Sequence, residues 1–475
     1  MSRKPKETTR EQRWALGLAS LASFMVILDM MVVATALTAI RRHLGASLAS
    51  LEWTVNAYTL SFAVLLMTAA ALGDRLGRRR VFAAGLAVFG TASAACALAP
   101  DAGALIAARA VQGAGAAAIM PTALALLNGA FPPARRGWAI GIYGSATALA
   151  AVLGPVLGGA VTQGLGWQWI FWVNVPVALA AIPLALARMR EATGPGGTVD
   201  APGLALITVA ALGLAWGLVR GNAAGWTSPE TAAAFSLGAV ATAGFVLWER
   251  RAAAVSVPML PVRLFRSPAF SAGNATIFLL NASLSGAVFL MPQFSQTVDG
   301  ADPLSAGLRL LPWGIVPFLV APRAGALADR IGERGLVVTG LLLECVGMAW
   351  VAAFATPGAG YLALLIPMIV TGAGFALAIP AITRSVTSHV PPAEMGKASG
   401  AYAAMRQLGG AFGVAILGAA FAAGGGYASP HAFSDGFRTA FAVGTGIALA
   451  GAITGAVLPG RRQPAAVVRD NRVRA

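Results

Sequence analysis

Charge is scarce in this chain. Asp, Glu, Lys and Arg make up 11% of its 475 residues, against roughly a quarter in an average soluble domain. Acidic side chains are the scarcer kind, 18 against 34 Lys and Arg, which gives a net charge of +16 and a pI near 11.3. Cysteine occurs twice, as Cys96 and Cys345, both inside apolar runs. That excludes a disulfide-stapled scaffold and predicts two buried thiols. The three histidines are expected in loops, and no metal-ligand spacing, phosphate-binding loop or nucleophile triad occurs in the sequence. ATP hydrolysis, a bound cofactor and covalent catalysis are therefore without support, and no enzyme is expected.

Apolar residues fill the space. They make up 57% of the chain, and the mean hydropathy is +0.73. A net charge of this sign would suit a nucleic-acid binder if the basic residues shared one domain. They do not; they recur in short clusters between apolar runs of about 20 residues, the length that crosses a hydrocarbon core. Fourteen such runs are expected, near 15–39, 52–72, 81–99, 103–127, 138–160, 168–187, 203–220, 231–248, 269–292, 303–325, 336–355, 359–383, 398–422 and 437–459. Backbone hydrogen bonds must close within each span in lipid, so these are helices. With that count, 27 of the 34 Lys and Arg fall in the connections of one face, five on the other, and Arg109 and Arg406 within spans. The excess marks the cytoplasmic face and places both termini there. The basic N-terminus MSRKPKETTREQR has no small-residue cleavage site after its first apolar run, so that run is expected to be retained.

The two ends of the chain repeat each other. GAGAAAIMP (113–121) matches GAGFALAIP (372–380), and at the same spacing Pro132, Pro133 and Ala134 meet Pro391, Pro392 and Ala393. GDRLGRRR (73–80) nearly recurs as ADRIGERG (328–335). The division expected is a six-helix half over 1–190, a linker with two inserted helices over 191–268, and a second six-helix half with a basic tail over 269–475. Duplicated halves with a site between them suit a secondary carrier. A receptor or scaffold would need an added sensing domain.

Several motifs carry a sharper resemblance. GDRLGRRR is similar to the loop G-x-L-x-D-R-x-G-R-R of the major facilitator superfamily, with Asp74, Arg75, Gly77 and Arg78 in place and Ala70 standing for the first glycine. Asp329, Arg330 and Gly332 form the second copy, with Glu333 in place of an arginine. LDMMVVATALTAI (28–40) resembles the first-helix motif of the fourteen-helix drug:proton antiporters of the EmrB/QacA type, with Asp29 kept. RAVQGAG (109–115) resembles the fourth-helix motif whose arginine, here Arg109, is associated with proton coupling. GIYGSATALAAVLGPVLGGA (141–160) resembles the antiporter motif, with Gly141, Gly154, Pro155, Gly158 and Gly159 matching and Ala150 replacing one glycine. WQWIFWVNVP (167–176) looks like the signature of the same group between its fifth and sixth helices.

The resemblance implies an all-α major-facilitator fold and proton-coupled efflux of small amphipathic, antibiotic-like compounds across the cytoplasmic membrane. The gradient would be its only drive, with lipid, protons and substrate its partners, no nucleic acid, and a monomer the working unit. Import, or carriage of one specific metabolite, is the nearest alternative. Asp29 lies about 22 Å into the first span and Arg109 about 9 Å into a span entering from the other face, so they reach one level. A charge at that depth costs about 2.5–3.5 kcal/mol or more, which marks Asp29 as functional. Glu344 and Arg406 also share a level and are expected to pair structurally. Trp53, Asn56, Tyr58, Asn281, Gln293 and Trp313 are candidates to line a substrate cavity.

Overall fold

The computed structural model describes residues 8–194, 200–255, 260, 262–387, 390 and 394–459; of residues 133–134, 253–255, 321–326 and 328–331 it describes the backbone. The first half is built from α1 (Arg10–Leu44), α2 (Leu48–Leu76), α3 (Arg78–Ala97), α4 (Ala102–Ala130), α5 (Pro133–Gly164), the single turn α6 (Trp169–Trp172) and α7 (Asn174–Arg188). Two inserted helices follow, α8 (Ala201–Ala224) and α9 (Pro229–Val255). The second half comprises α10 (Pro268–Thr297), α11 (Pro303–Arg309), α12 (Leu311–Ile331), α13 (Glu333–Phe354), α14 (Tyr361–Thr387), α15 (Met395–Gly424) and α16 (Pro430–Ala456). Among the described residues, fourteen helices are long and apolar enough to cross a membrane, α6 and α7 together making one and α11 running into α12 another. The expected count stands, with helices that extend past the hydrocarbon at several ends.

Two spans are broken where proline removes a backbone donor. Pro176 cannot donate to the Trp172 carbonyl and Pro312 cannot donate to that of Leu308, so the chain steps between α6 and α7 and between α11 and α12. Large apolar side chains such as Leu179 (67% exposed) and Leu362 (74% exposed) point outward. A soluble surface would not carry such a belt; a lipid-facing one does.

The repeat is visible in packing. Gly85 on α3 crosses Gly115 on α4, and Gly340 on α13 crosses Gly374 on α14 in the same way. A Cβ at Gly340 would stand 2.5 Å from the Gly374 carbonyl oxygen, and one at Gly374 would stand 2.3 Å from that of Gly340. Neither backbone can withdraw without parting the helices, so only glycine fits both crossings.

The core changes along the bundle axis. Toward the face carrying the 73–80 turn, the arginine-rich face, each half has its own cluster, one around Phe82, Phe89 and Phe131 and the other around Phe270, Leu336 and Ile382. Toward the opposite, far face, a single cluster joins Leu37 and Ile40 of α1 to Phe294 of α10, Phe421 of α15 and Phe437 of α16. The inserted α8 covers the seam where α2 meets α15: Ala211 and Ala215 pack with Leu60, Val64 and Ala411, and Trp216 stacks against Trp53 at 5.5 Å. Of the two thiols, Cys96 is buried and Cys345 is only partly so, because its side of α13 turns outward.

Candidate functional site

Asp29 and Arg109 meet in the interior of the first half. Arg109 Nη1 donates to Asp29 Oδ2 at 2.5 Å and to Gln112 Oε1 at 2.7 Å, and Arg109 Nε donates to the Thr54 carbonyl at 3.2 Å. The other carboxylate oxygen accepts from Gln112 Nε2 and Asn174 Nδ2, both at 2.8 Å. Those two amides also donate to Ser93 Oγ, whose hydroxyl donates to the Phe171 carbonyl at 2.9 Å. The Tyr58 ring lies 4.1 Å from the guanidinium carbon. All five polar side chains are buried. One network thus ties α1, α2, α3, α4 and α7 together, with each charge balanced by its neighbour. Removing one partner of such a pair costs about 3–5 kcal/mol, because the other charge is left buried alone.

Between the halves lies a cavity of about 230 Å³. Its walls are mostly apolar, with Met30, Met31 and Ala34 of α1 facing Phe289 of α10 and Phe375 of α14. Polar groups reach it from Thr59, Asn281, Ser285, Trp313, Arg406 and Gln407. Asp29 is next to Met30 in sequence but on the other side of α1, so the ion pair stands behind the cavity wall and not in it. Asn281 and Trp313 are among the residues that line the cavity. The other four candidates do not. Tyr58 belongs to the Arg109 network, Asn56 is buried outside the lining, and Trp53 stacks on the insert. Gln293 donates to the Phe289 carbonyl at 2.7 Å and accepts from the Tyr427 hydroxyl near the far face.

The glycines of α5 close that far face. A Cβ at Gly154 would stand 2.4 Å from Met31 Cβ, and one at Gly158 would stand 2.7 Å from the Val32 carbonyl oxygen, so both hold α5 against α1. Gly159 faces the second half, where its Cβ would stand 2.2 Å from the Pro303 carbonyl oxygen. Pro155 leaves the Ala151 carbonyl without its helical donor, and both residues line the cavity. Nearby, Gln296 Nε2 donates to the Thr35 carbonyl at 3.0 Å, and Arg41 stacks on the Tyr427 ring at 3.7 Å. Gly141 differs from the rest of its string. Nothing lies within 4 Å of a Cβ placed there, and Trp138, Ile140 and Ile142 around it are exposed. The halves are closed at the far face and parted along α5 at the arginine-rich one.

The 73–80 turn holds together inside the first half. Arg78 Nε donates to Asp74 Oδ1 at 2.8 Å. The Arg78 backbone N–H donates to the Ala192 carbonyl at 2.9 Å, and that of Arg79 donates to Glu191 Oε1 at 2.9 Å. Gly77 takes φ +105°, and a Cβ there would strike the Glu191 carboxyl at 2.7 Å. The turn is therefore fastened to the segment after α7, while Arg75 stays exposed. In the second copy Gly332 has φ +83°, matching Gly77, and the side chains of Asp329 and Arg330 lie outside the described residues.

Glu344 and Arg406 do not pair. Depth agrees, but azimuth does not: Ser283 Oγ donates to Glu344 Oε1 at 2.5 Å inside the second half, and Arg406 turns into the cavity. Sequence reasoning also misses Ser93, Gln112 and Asn174, single polar residues in apolar runs, although Gln112 stands one helical turn from Arg109 and Asn174 lies within the quoted 167–176 string. Glu52 escapes it too, because it sits at the end of a span. It is buried on α2 against Gly418 of α15, and its Oε2 has no hydrogen-bond partner.

A membrane-spanning helical bundle, duplicated about an apolar cavity that is closed at one face, defines a membrane transporter. The chain belongs to the Major Facilitator Superfamily, whose sequence profile matches residues 19–414 and again 274–474. Among characterised proteins it is similar to the tetracenomycin C resistance and export protein of Streptomyces glaucescens, with 34% identity over 467 residues, covering 96% of this chain and 86% of that protein. The multidrug resistance protein Stp of Mycobacterium tuberculosis (strain CDC 1551 / Oshkosh) is 36% identical over 416 residues, covering 87% and 76%. The cephamycin export protein CmcT of Amycolatopsis lactamdurans is 37% identical over 409 residues, covering 85% and 84%. An auto-inhibited POT family peptide transporter shares the fold with a TM-score of 0.71 at 16% identity, covering 96% of this chain and 99% of that one. A D-xylose–proton symporter does so with a TM-score of 0.65 at 16% identity, covering 94% and 98%. The protein is a multi-pass membrane protein.

Proposed function

We propose that this protein exports small amphipathic, antibiotic-like compounds from the cell across the cytoplasmic membrane, driven by inward proton flow through alternating access of its two halves. Its relatives named for antibiotic export or resistance support the direction and the substrate type. The antiporter-like string on α5 supports the same direction. The observation that carries the coupling is the place of Asp29, a buried carboxylate on the very helix whose other side, at Met30 and Met31, forms the cavity wall.

A proton reaching Asp29 would cancel its charge and leave Arg109 with the Thr54 carbonyl, Gln112 Oε1 and the Tyr58 ring. An unbalanced guanidinium in a dry interior is costly, so the network must re-form around it. Because that network spans five helices, its rearrangement moves α1, and α1 carries the cavity wall and the Gly154 and Gly158 contacts with α5. Both termini and the 73–80 turn lie in the cytoplasm in this reading, as the distribution of Lys and Arg requires. The closed far face then looks outward, and the cavity loads from inside. One chain holds the cavity and the network, so the monomer is the working unit.

Transport into inverted membrane vesicles, measured against a panel of antibiotic-like compounds with and without an imposed pH gradient, tests the reading. Gradient-dependent accumulation of at least one compound is expected. Accumulation only when the gradient is reversed would make the protein an importer.

A further inference from the structure

The cavity carries an unbalanced positive charge. Among the described residues that line it, Arg406 is the one with a formal charge, and no carboxylate is present. Arg406 is exposed to the cavity and, among the described residues, has neither an ion pair nor a hydrogen bond. It does not serve as an interfacial anchor, since it stands eleven residues into α15, about 16 Å along the helix. Of the buried carboxylates in the spans, Glu52 packs against Gly418, about three turns further along α15, and two others are committed elsewhere. Glu344 is sequestered with Ser283, and both oxygens of Asp29 are taken by Arg109, Gln112 and Asn174. A cation inside a membrane span with no partner is expensive and therefore points to a ligand.

Two donors on residues of the lining also lack a partner, and both nitrogens are buried beneath the cavity wall. The indole Nε1 of Trp313, a side chain 8% exposed, is a donor and nothing else, and it has no acceptor. Gln407, 9% exposed, has an amide Nε2 without a partner. The cavity thus offers a guanidinium on an otherwise uncharged wall. It lacks the acidic group that would balance an organic cation. A low-dielectric wall strengthens the field of Arg406, which attracts anions and repels cations.

We infer that the substrates are amphipathic organic anions: a hydrophobic body of one or two rings bearing a carboxylate, or an equally acidic oxygen group, that docks on Arg406. This inference rests on the efflux reading for its direction but not for its chemistry. Outward movement of an anion also fits a membrane that is negative inside, since the potential itself then drives the substrate out.

The test uses three probes with one body and different heads: 2-naphthylacetate, 2-(2-naphthyl)ethanol and 2-(2-naphthyl)ethylammonium. Their binding to the purified full-length chain in lipid nanodiscs is measured by calorimetry, with empty nanodiscs subtracted. The carboxylate is expected to bind about tenfold more tightly than the ammonium. Arg406→Gln should erase that preference and leave the alcohol unchanged, and Arg406→Lys should keep part of it. Thermal melting checks that each variant is folded. Ammonium binding as tight as carboxylate binding in the wild type would overturn the inference, as would an unaltered preference in Arg406→Gln or no carboxylate binding at millimolar concentration. The efflux reading fails separately: binding of the anion without export of any compound would remove it and leave the anion site standing. Export of cations independent of Arg406 would do the reverse.

Discussion

Gly307 of the second half lies directly on Pro155 of the first. A Cβ at Gly307 would stand 2.2 Å from the Pro155 carbonyl oxygen, and Gly159 is as close to the Pro303 carbonyl oxygen in return. Each glycine removes the side chain that would keep the other backbone away, so α5 and α11 seal the far face at backbone distance. The seal is reciprocal, and both of its partners are backbone atoms that cannot turn aside.

Gly307→Val should therefore block closure of the far face. A cysteine pair at Gln163 and Leu304, where the Leu304 N–H now donates to Gln163 Oε1 at 3.3 Å, reports on that closure. Rapid cross-linking is expected in the otherwise native chain. In the valine variant it should slow by at least about tenfold, together with transport. Equal cross-linking in both would mean that the seal does not depend on glycine.

At the other face, Gly77→Ala should harm the protein more than Asp74→Asn. Alanine at φ +105° is strained, and its methyl group would also displace the Glu191 carboxyl that accepts from Arg79. A loss of about 1–3 kcal/mol is expected from the strain alone, read as a lower melting temperature. Asp74→Asn weakens only the half-buried, one-turn pair with Arg78, so stability should change by about 1 kcal/mol or less while export falls. Unchanged export in Asp74→Asn would reduce the turn to an anchor that sets topology.

Glu52→Gln should stabilise the closed far face. The carboxylate is buried between α2 and α15 with one oxygen unpartnered, and a neutral amide of the same shape is less costly there. A gain of about 1–3 kcal/mol is expected from the smaller desolvation cost. The melting temperature of the purified variant measures it, and a fall would mean that Glu52 has an ionic role in this state.

Much of this arrangement is legible in the sequence, for reasons that differ by residue. The span count follows from hydrophobic length alone. Asp29 and Arg109 can be paired from the sequence because a charge in an apolar helix is conspicuous and rise per residue fixes its depth. Depth is not direction, however. Glu344 and Arg406 share a level yet face different neighbours, since α13 packs on α14 and α16 while α15 packs on α10 and α2. The same blindness to azimuth makes Tyr58 and Gln293 look like cavity residues when both belong to the packed interior. Ser93, Gln112 and Asn174 give a weaker signal, because an uncharged polar residue in a span is cheap enough to be incidental.

Orientation has its own test. Accessibility tags near Met1, Arg190 and Ala475 should all label from the cytoplasmic side, and one at Ser429, the cap of α16, from outside. A Ser429 tag that labels on the same side as Met1 would contradict the fourteen-span topology.

The Asp29–Arg109 pair can be probed by a double-mutant cycle. Asp29→Asn and Arg109→Gln should each destabilise the chain by about 3–5 kcal/mol, and the double variant by less than their sum, because each single change strands the opposite partner. Additive losses would show that the two side chains act independently despite their contact.

Proton coupling through Asp29 is the central claim, and proton release from proteoliposomes tests it most directly. Wild-type protein reconstituted at known density should release protons on addition of an exported compound, and a pH gradient should drive that compound uphill. Asp29→Asn, at the same density of folded protein, should bind the compound at the intact cavity wall but release no protons and build no gradient of substrate. Substrate-induced proton release and uphill export at the wild-type level in Asp29→Asn would contradict the account.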